Sequence, residues 1–134
     1  MLVVDAGVVV AALVDSGRDG TWADQRLASE ALAAPHLMPV EVANALRRAV
    51  LGGELSADSA AMAHADFLAL RIDLFPYAPF AARVWELRDN VTAYDAWYVA
   101  LAESLGARLA TLDLRLSRAS GPKCRFDLPP TATR

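Results

Sequence analysis

Asp5, Glu41, Asp95 and Asp113 are the side chains of this 134-residue sequence best placed to do chemistry. Each falls at the start or end of an expected element rather than inside one. Asp5 closes the apolar run Leu2-Val3-Val4, and Asp113 follows the run Arg108–Leu112. Glu41 lies in the first turn of an amphipathic helix, three residues before Asn44, so the two share a face. Thr92-Ala93-Tyr94-Asp95 reads as an acidic capping box that opens the nearly apolar stretch Ala96–Ala102. Carboxylate sets without His or Cys select hard cations, Mg²⁺ or Mn²⁺. A cation held this way lowers the pKa of a bound water and neutralises a phosphodiester in its transition state. Taken singly, each acid has a plainer explanation as a helix cap or a partner of the helix dipole. Taken together, they suggest metal-assisted phosphodiester hydrolysis.

Other chemistries lack their residues. Neither G-x-x-x-x-G-K nor G-x-G-x-x-G occurs, so there is no glycine-rich phosphate loop, and no G-x-S-x-G elbow supplies a hydrolase nucleophile. His36 and His64 stand alone in apolar surroundings and read as packed residues. The single cysteine, Cys124, excludes an intrachain disulfide and a Cys-cluster metal site. Trp22, Trp85 and Trp97 read as core or interface residues rather than base-stacking platforms.

The elements that must position the acids follow from hydrophobic periodicity. Leu2–Val4 is a buried parallel strand, followed by helices over Gly7–Leu13 and Gly20–Leu32. Ala34–Met38 is the second strand. Pro39 opens a helix whose Val42, Ala45, Leu46, Ala49 and Val50 line one face, and Gly52-Gly53 ends it. Ser56 caps a helix reaching Leu70, Ile72–Phe75 is the third strand, and Pro79 begins a helix carrying Val84, Trp85 and Leu87. Thr92 starts the next helix and Gly106 stops it. Arg108–Leu112 is the fourth strand, a short helix follows up to Gly121-Pro122, and Lys123–Leu128 alternates as an edge strand. Alternating strands and helices predict an α/β fold with a parallel sheet wrapped by helices, its functional crevice at the carboxyl ends of the strands.

Composition sets the remaining bounds. With 55% hydrophobic residues, 7 Gly and 7 Pro, the sequence suits one globular domain over residues 1–134. No apolar run is long enough to span a bilayer, and no signal segment is legible, so a cytoplasmic protein is expected. The net charge of −3 hides an asymmetry: residues 1–107 sum to −7 and residues 108–134 to +4. The basic segment, with Arg115 and Arg118, is a candidate surface for RNA phosphates; solvated charge is its plainer explanation. The apolar content also leaves hydrophobic surface to cover, and helices carrying Leu46, Val50, Met62 or Trp85 are candidates to bury it in a symmetric dimer.

At these same residues the sequence resembles the PIN-domain family, and most closely its VapC-type toxins. The matching stretches are Val3-Val4-Asp5-Ala6, Pro39–Leu46, Thr92–Ala102 and Thr111–Leu116, in register over residues 1–120. The resemblance implies a three-layer domain with about five parallel strands ordered 3-2-1-4-5, and a homodimer. It implies an Mg²⁺- or Mn²⁺-dependent endoribonuclease acting as the toxin of a toxin–antitoxin pair, held by a VapB-like antitoxin. By position, Asp5, Glu41, Asp95 and Asp113 would be the catalytic, metal-binding acids, with Asp5 and Asp95 the direct ligands. Thr92 would support the site and Asn44 would hydrogen-bond around it. One position departs from the family's Asp-x-Ser/Thr pattern, because Gly7 replaces the hydroxyl residue. A receiver domain needs paired acids after its first strand and a haloacid-dehalogenase phosphatase needs Asp-x-Asp; neither pattern is present. The rival that Gly7 keeps open is a PIN-like module that binds antitoxin or RNA without cutting.

Overall fold

Leu2–Val4, Leu32–Pro35, Ile72–Phe75, Arg108–Ala110 and Phe126–Asp127 form strands β1 to β5 of the computed structural model, which describes residues 1–130. The last residue of the basic segment, Arg134, lies outside the described residues. All neighbouring pairs are parallel and the order is β3-β2-β1-β4-β5, as the resemblance implies. β1 and β2 are buried along their whole length, which is why they read as unbroken apolar runs rather than alternating ones. β3 and β5 are the sheet edges and are only partly covered.

Helices α1 (Ala6–Val14) and α2 (Arg18–Ser29) link β1 to β2, and α3 (Met38–Leu51) and α4 (Ala57–Ala69) link β2 to β3. A 3₁₀ turn (Ala78–Phe80), α5 (Ala81–Glu86) and α6 (Ala93–Leu105) lead to β4, and α7 (Leu114–Ser117) follows it. The first turn of α2 approaches the end of α1 closely enough to demand glycine. A Cβ on Gly20 would stand 1.7 Å from the Asp15 carbonyl oxygen. Gly106, at φ +61°, closes α6 in the left-handed region, so the stop signal read from the sequence acts through backbone conformation.

Several boundaries move. The second strand begins at Leu32 and ends at Pro35, so the expected Ala34–Met38 is displaced toward the carboxyl end; Met38 instead starts α3. The register explains the shift, since Leu32 pairs with Leu2 on one side and Ile72 on the other. α2 accordingly ends at Ser29, short of Leu32. β4 stops at Ala110 and leaves Thr111 and Leu112 in the loop before Asp113, and the last strand shrinks to Phe126–Asp127. Leu46 is 3% exposed and belongs to the core, which removes it from the candidate dimer surface; Met62 and Trp85 remain exposed. Among the described residues no helix is long and apolar enough to cross a membrane.

Candidate active site

The carboxyl end of β1 delivers Asp5 straight into the start of α1. Its Oδ1 accepts the Val8 N–H at 2.9 Å, so the capping explanation of this residue is correct. It is also incomplete. The second oxygen, Oδ2, accepts the hydroxyl of Thr111 at 2.5 Å, from the loop after the neighbouring strand. Thr111 is fully buried and is the one buried polar residue outside the apolar core among the described residues. Its oxygen accepts in turn the backbone N–H of Asp113 at 3.0 Å. One hydroxyl therefore links the ends of β1 and β4 and fixes both candidate acids.

Glu41 projects from the first turn of α3 and accepts the Tyr98 hydroxyl at 2.6 Å. Tyr98 is buried on α6, three residues after Asp95 and so on the same face of the helix. The hydroxyl of Thr92 caps α6 by accepting the Asp95 N–H at 3.2 Å, and it also favours the ionised Asp95 carboxylate. Asp113 caps α7 through Oδ1, which accepts the N–H groups of Arg115 and Leu116.

The electrostatics show which acids feel one another's charge. Burial pushes Asp5 up to about 6, against the Thr111 and Val8 hydrogen bonds, and the charges of Asp95 and Glu41 add to the rise. Burial raises Glu41 as well, opposed by the Tyr98 hydroxyl and reinforced by Asp95. Asp95 is raised by burial and by the charge of Asp113. Asp5, Glu41 and Asp95 are thus mutually coupled, and Asp113 joins them through Asp95. None of the six ion pairs among the described residues involves any of the four. Partly buried carboxylates without a basic partner need a proton or a cation. An all-oxygen donor set of this kind fits a hard divalent ion.

The acids are neighbours without being a finished cage. Among the described residues no group of three or more acidic, His or Cys side chains is drawn together closely enough to enclose an ion. Asn44 lies exposed on α3 and makes no side-chain hydrogen bond among the described residues, so it is not drawn into the group. Arg115 and Arg118 are exposed at α7, beside Asp113. Two residues of the site were missed in the sequence. Thr111, two positions before Asp113, and Tyr98, one turn after Asp95, carried only the weak signal of polar atoms beside acids. Thr111 also bears on Gly7: a Cβ there would meet only Asp5 Oδ1, at 3.5 Å. A hydroxyl is supplied instead to the other oxygen of Asp5, by Thr111 in the loop after β4.

Comparison with known proteins gives the family. Residues 2–122 match the PIN domain family. The chain is 44% identical over 128 residues to Ribonuclease VapC1 of Mycobacterium tuberculosis, covering 94% of this chain and 96% of that protein. It is 40% identical over 130 residues to VapC ribonuclease Mb0985 of Mycobacterium bovis, covering 97% and 99%. The crystal structure of PAE2754 from Pyrobaculum aerophilum superposes with a TM-score of 0.71 at 25% identity, over 99% of this chain and 87% of that one. The chain belongs to the PIN-domain family, as a VapC-like member.

Proposed function

We propose that this chain is the ribonuclease toxin of a VapBC-type pair and that Asp5, Glu41, Asp95 and Asp113 bind the divalent cation it uses. The supporting observation is that Asp5, Glu41 and Asp95 are coupled, partly buried carboxylates with no basic side chain to neutralise them, with the exposed Asp113 coupled to Asp95. Kinship with proteins named as VapC ribonucleases supports RNA as the substrate. PIN nucleases of this group are in general divalent-metal dependent, and Mg²⁺ or Mn²⁺ suits the donor set. When bound, such an ion lowers the pKa of a coordinated water and offsets charge on the scissile phosphate.

In this reading Asp5 and Asp95 would hold the cation directly, and Glu41 and Asp113 would assist them. Thr111 and Val8 hold the Asp5 carboxylate by both oxygens, so its orientation is fixed before any ion arrives. Tyr98 does the same for Glu41. No Ser, Cys or His is placed to attack phosphorus; with water as the nucleophile in place of the RNA 2′-hydroxyl, and the P–O3′ bond the one that breaks, the products carry 5′-phosphate and 3′-hydroxyl ends. Arg115 and Arg118 offer positive charge beside Asp113 for the RNA backbone. A VapB-like antitoxin covers the site, and the chain pairs as a homodimer.

One observation speaks for the rival, a module that binds antitoxin or RNA without cutting: Gly7 stands where the family's pattern has a hydroxyl residue. A single experiment separates the two. Purified protein free of antitoxin is incubated with structured RNAs in Mg²⁺, in Mn²⁺ and in EDTA, alongside Asp95→Asn. Cleavage that needs the cation and Asp95, with 5′-phosphate products, is expected. Cleavage surviving both EDTA and Asp95→Asn would sink the mechanism, and cation binding without cleavage of any RNA would establish the rival.

A further inference from the structure

The hydroxyl that orients Asp5 belongs to Thr111, and the backbone carrying it is fixed from the edge strand β5. Val4, Ala110 and Asp127 stand at one level across β1, β4 and β5, paired in register. One step on, the Asp5 N–H donates to the Ala110 carbonyl at 3.3 Å and the Thr111 N–H donates to the Asp127 carbonyl at 3.1 Å. Thr111 is fully buried, so its N–H has no water to turn to if that carbonyl moves. Asp127 therefore sits one hydrogen bond behind the residue that holds both Asp5 and Asp113.

The ladder of β5 gives that carbonyl little support. The strand is two residues long and lies at the sheet edge, shorter than strands usually are. Its anchor is the Asp127 side chain, whose Oδ2 accepts Arg108 Nη1 at 3.0 Å and lies 3.6 Å from Arg26 Nη1. Arg108, at the start of β4, is held at its other nitrogen too, where Nη2 donates to Glu30 Oε2 at 2.5 Å. Arg26 comes from the last turn of α2, and its Nε is buried without a hydrogen-bond partner among the described residues. A guanidinium kept there despite that cost is held by the charge it faces. The Asp127 side chain is 12% exposed, so little water screens the two cations from it. Edge strand, α2 and β4 are thus tied together at the level of the acids.

We infer that Asp127, gripped by Arg26 and Arg108, is a positioning residue of the acid site: the grip fixes its carbonyl, the carbonyl fixes Thr111, and Thr111 sets the Asp5 carboxylate and the Asp113 backbone. This deepens the ribonuclease reading and rests on it. Asp127 acts through Thr111 alone and touches neither cation nor RNA. Loosening the clamp turns the Thr111 hydroxyl and lets the carboxylate of Asp5 rotate about its remaining bond to Val8.

The test compares Asp127→Ala, the milder isostere Asp127→Asn and Arg108→Ala with Arg83→Ala, which breaks an ion pair with Glu103 elsewhere in the fold. Amide hydrogen exchange is read at Thr111 and at Leu101, a fully buried position of α6. In the Asp127 and Arg108 variants, exchange at Thr111 is expected to rise about 10-fold beyond any change at Leu101. A loss of stability alone, as in Arg83→Ala, would speed Leu101 at least as much. Calorimetric Mn²⁺ affinity falls about 5-fold or more in the same variants, somewhat short of the cost of removing a ligand's own hydrogen-bond partner. Combining Arg108→Ala with Asp127→Ala adds nothing further, because the two act as one clamp. On RNA, kcat falls while KM stays within about 2-fold of wild type. Exchange at Thr111 that rises no more than at Leu101 overturns the assignment, as does Mn²⁺ affinity no weaker than that of Arg83→Ala. Asp127→Asn gives both readouts if the alanine variant fails to fold. If the unmutated chain binds Mn²⁺ but cuts no RNA, the nuclease reading fails, while exchange and affinity still decide the clamp.

Discussion

Replacing Asp5 by Asn should make the metal-free protein more stable at neutral pH while removing its response to metal. The carboxyl sits at the end of β1 in surroundings that lift it from 3.8 to about 6, chiefly by burial. Folding therefore tightens its hold on a proton. The stability this gives is full below pH 3.8, declines as pH rises through about 6, and is absent above that. At about 1.4 kcal/mol per pKa unit, the ionised Asp5 carries a penalty of about 3 kcal/mol at pH 7.5. Asn has no charge to bury and its oxygen still accepts the Val8 N–H, but its amide nitrogen cannot accept the Thr111 hydroxyl, which costs about 1 kcal/mol. It forfeits the interaction of a carboxylate with the start of α1, about 0.3–1 kcal/mol. The net gain is about 1–2 kcal/mol, or roughly 3–8 °C in Tm for a chain of this size. Thermal melts in EDTA from pH 4.5 to 8.5 measure it directly. The gap between wild type and Asp5→Asn should be smallest at pH 4.5, widen as pH rises to about 6 and level off above that, with the variant higher. Millimolar Mn²⁺ should then raise the wild type and leave the variant unmoved. A variant that melts below wild type at pH 7.5, or a gap that does not change with pH, would refute the reasoning.

Thr111→Val keeps the shape of a fully buried side chain but strands the Asp113 N–H and removes a donor from Asp5. A loss of about 2–4 kcal/mol in urea unfolding is expected, larger above pH 6 than at pH 4.5 because the lost bond favours the charged carboxylate. Tyr98→Phe leaves the ring in the core and frees Glu41. Calorimetric titration with Mn²⁺ should show affinity falling by about 10-fold or more, and an unchanged isotherm would mean Glu41 does not reach the ion. Gly7→Ser introduces only an ordinary contact with Asp5. It should fold normally, gain up to about 1 kcal/mol from replacing a helical glycine, and bind Mn²⁺ at least as tightly as wild type. Sedimentation of wild type and Trp85→Glu at high micromolar concentration tests the homodimer, since Trp85 is 67% exposed on α5; dissociation by the charge is expected.

The amino-acid sequence alone decided whatever depends on neighbours within a few positions. Leu2–Val4 is apolar throughout because a strand buried on both faces has no solvent side, and β1 follows from that. Ser56 and Thr92 announce α4 and α6 because a cap acts over three residues, and Gly106 ends α6 because a left-handed residue is needed there. Asp5, Glu41, Asp95 and Asp113 were visible for the same reason, each marked by the element it opens or closes. Boundaries set by partners were less legible: β2 begins at Leu32 because β1 and β3 fix its register, and no local signal encodes that. The support of the candidate site was hidden altogether. Thr111 reaches Asp5 across 106 residues and Tyr98 reaches Glu41 across 57, so their hydrogen bonds exist only once strands and helices are stacked. Local patterning places an acid at the end of a strand, but only the packing of distant segments determines how buried it is, what holds each of its oxygens, and which other charges it meets.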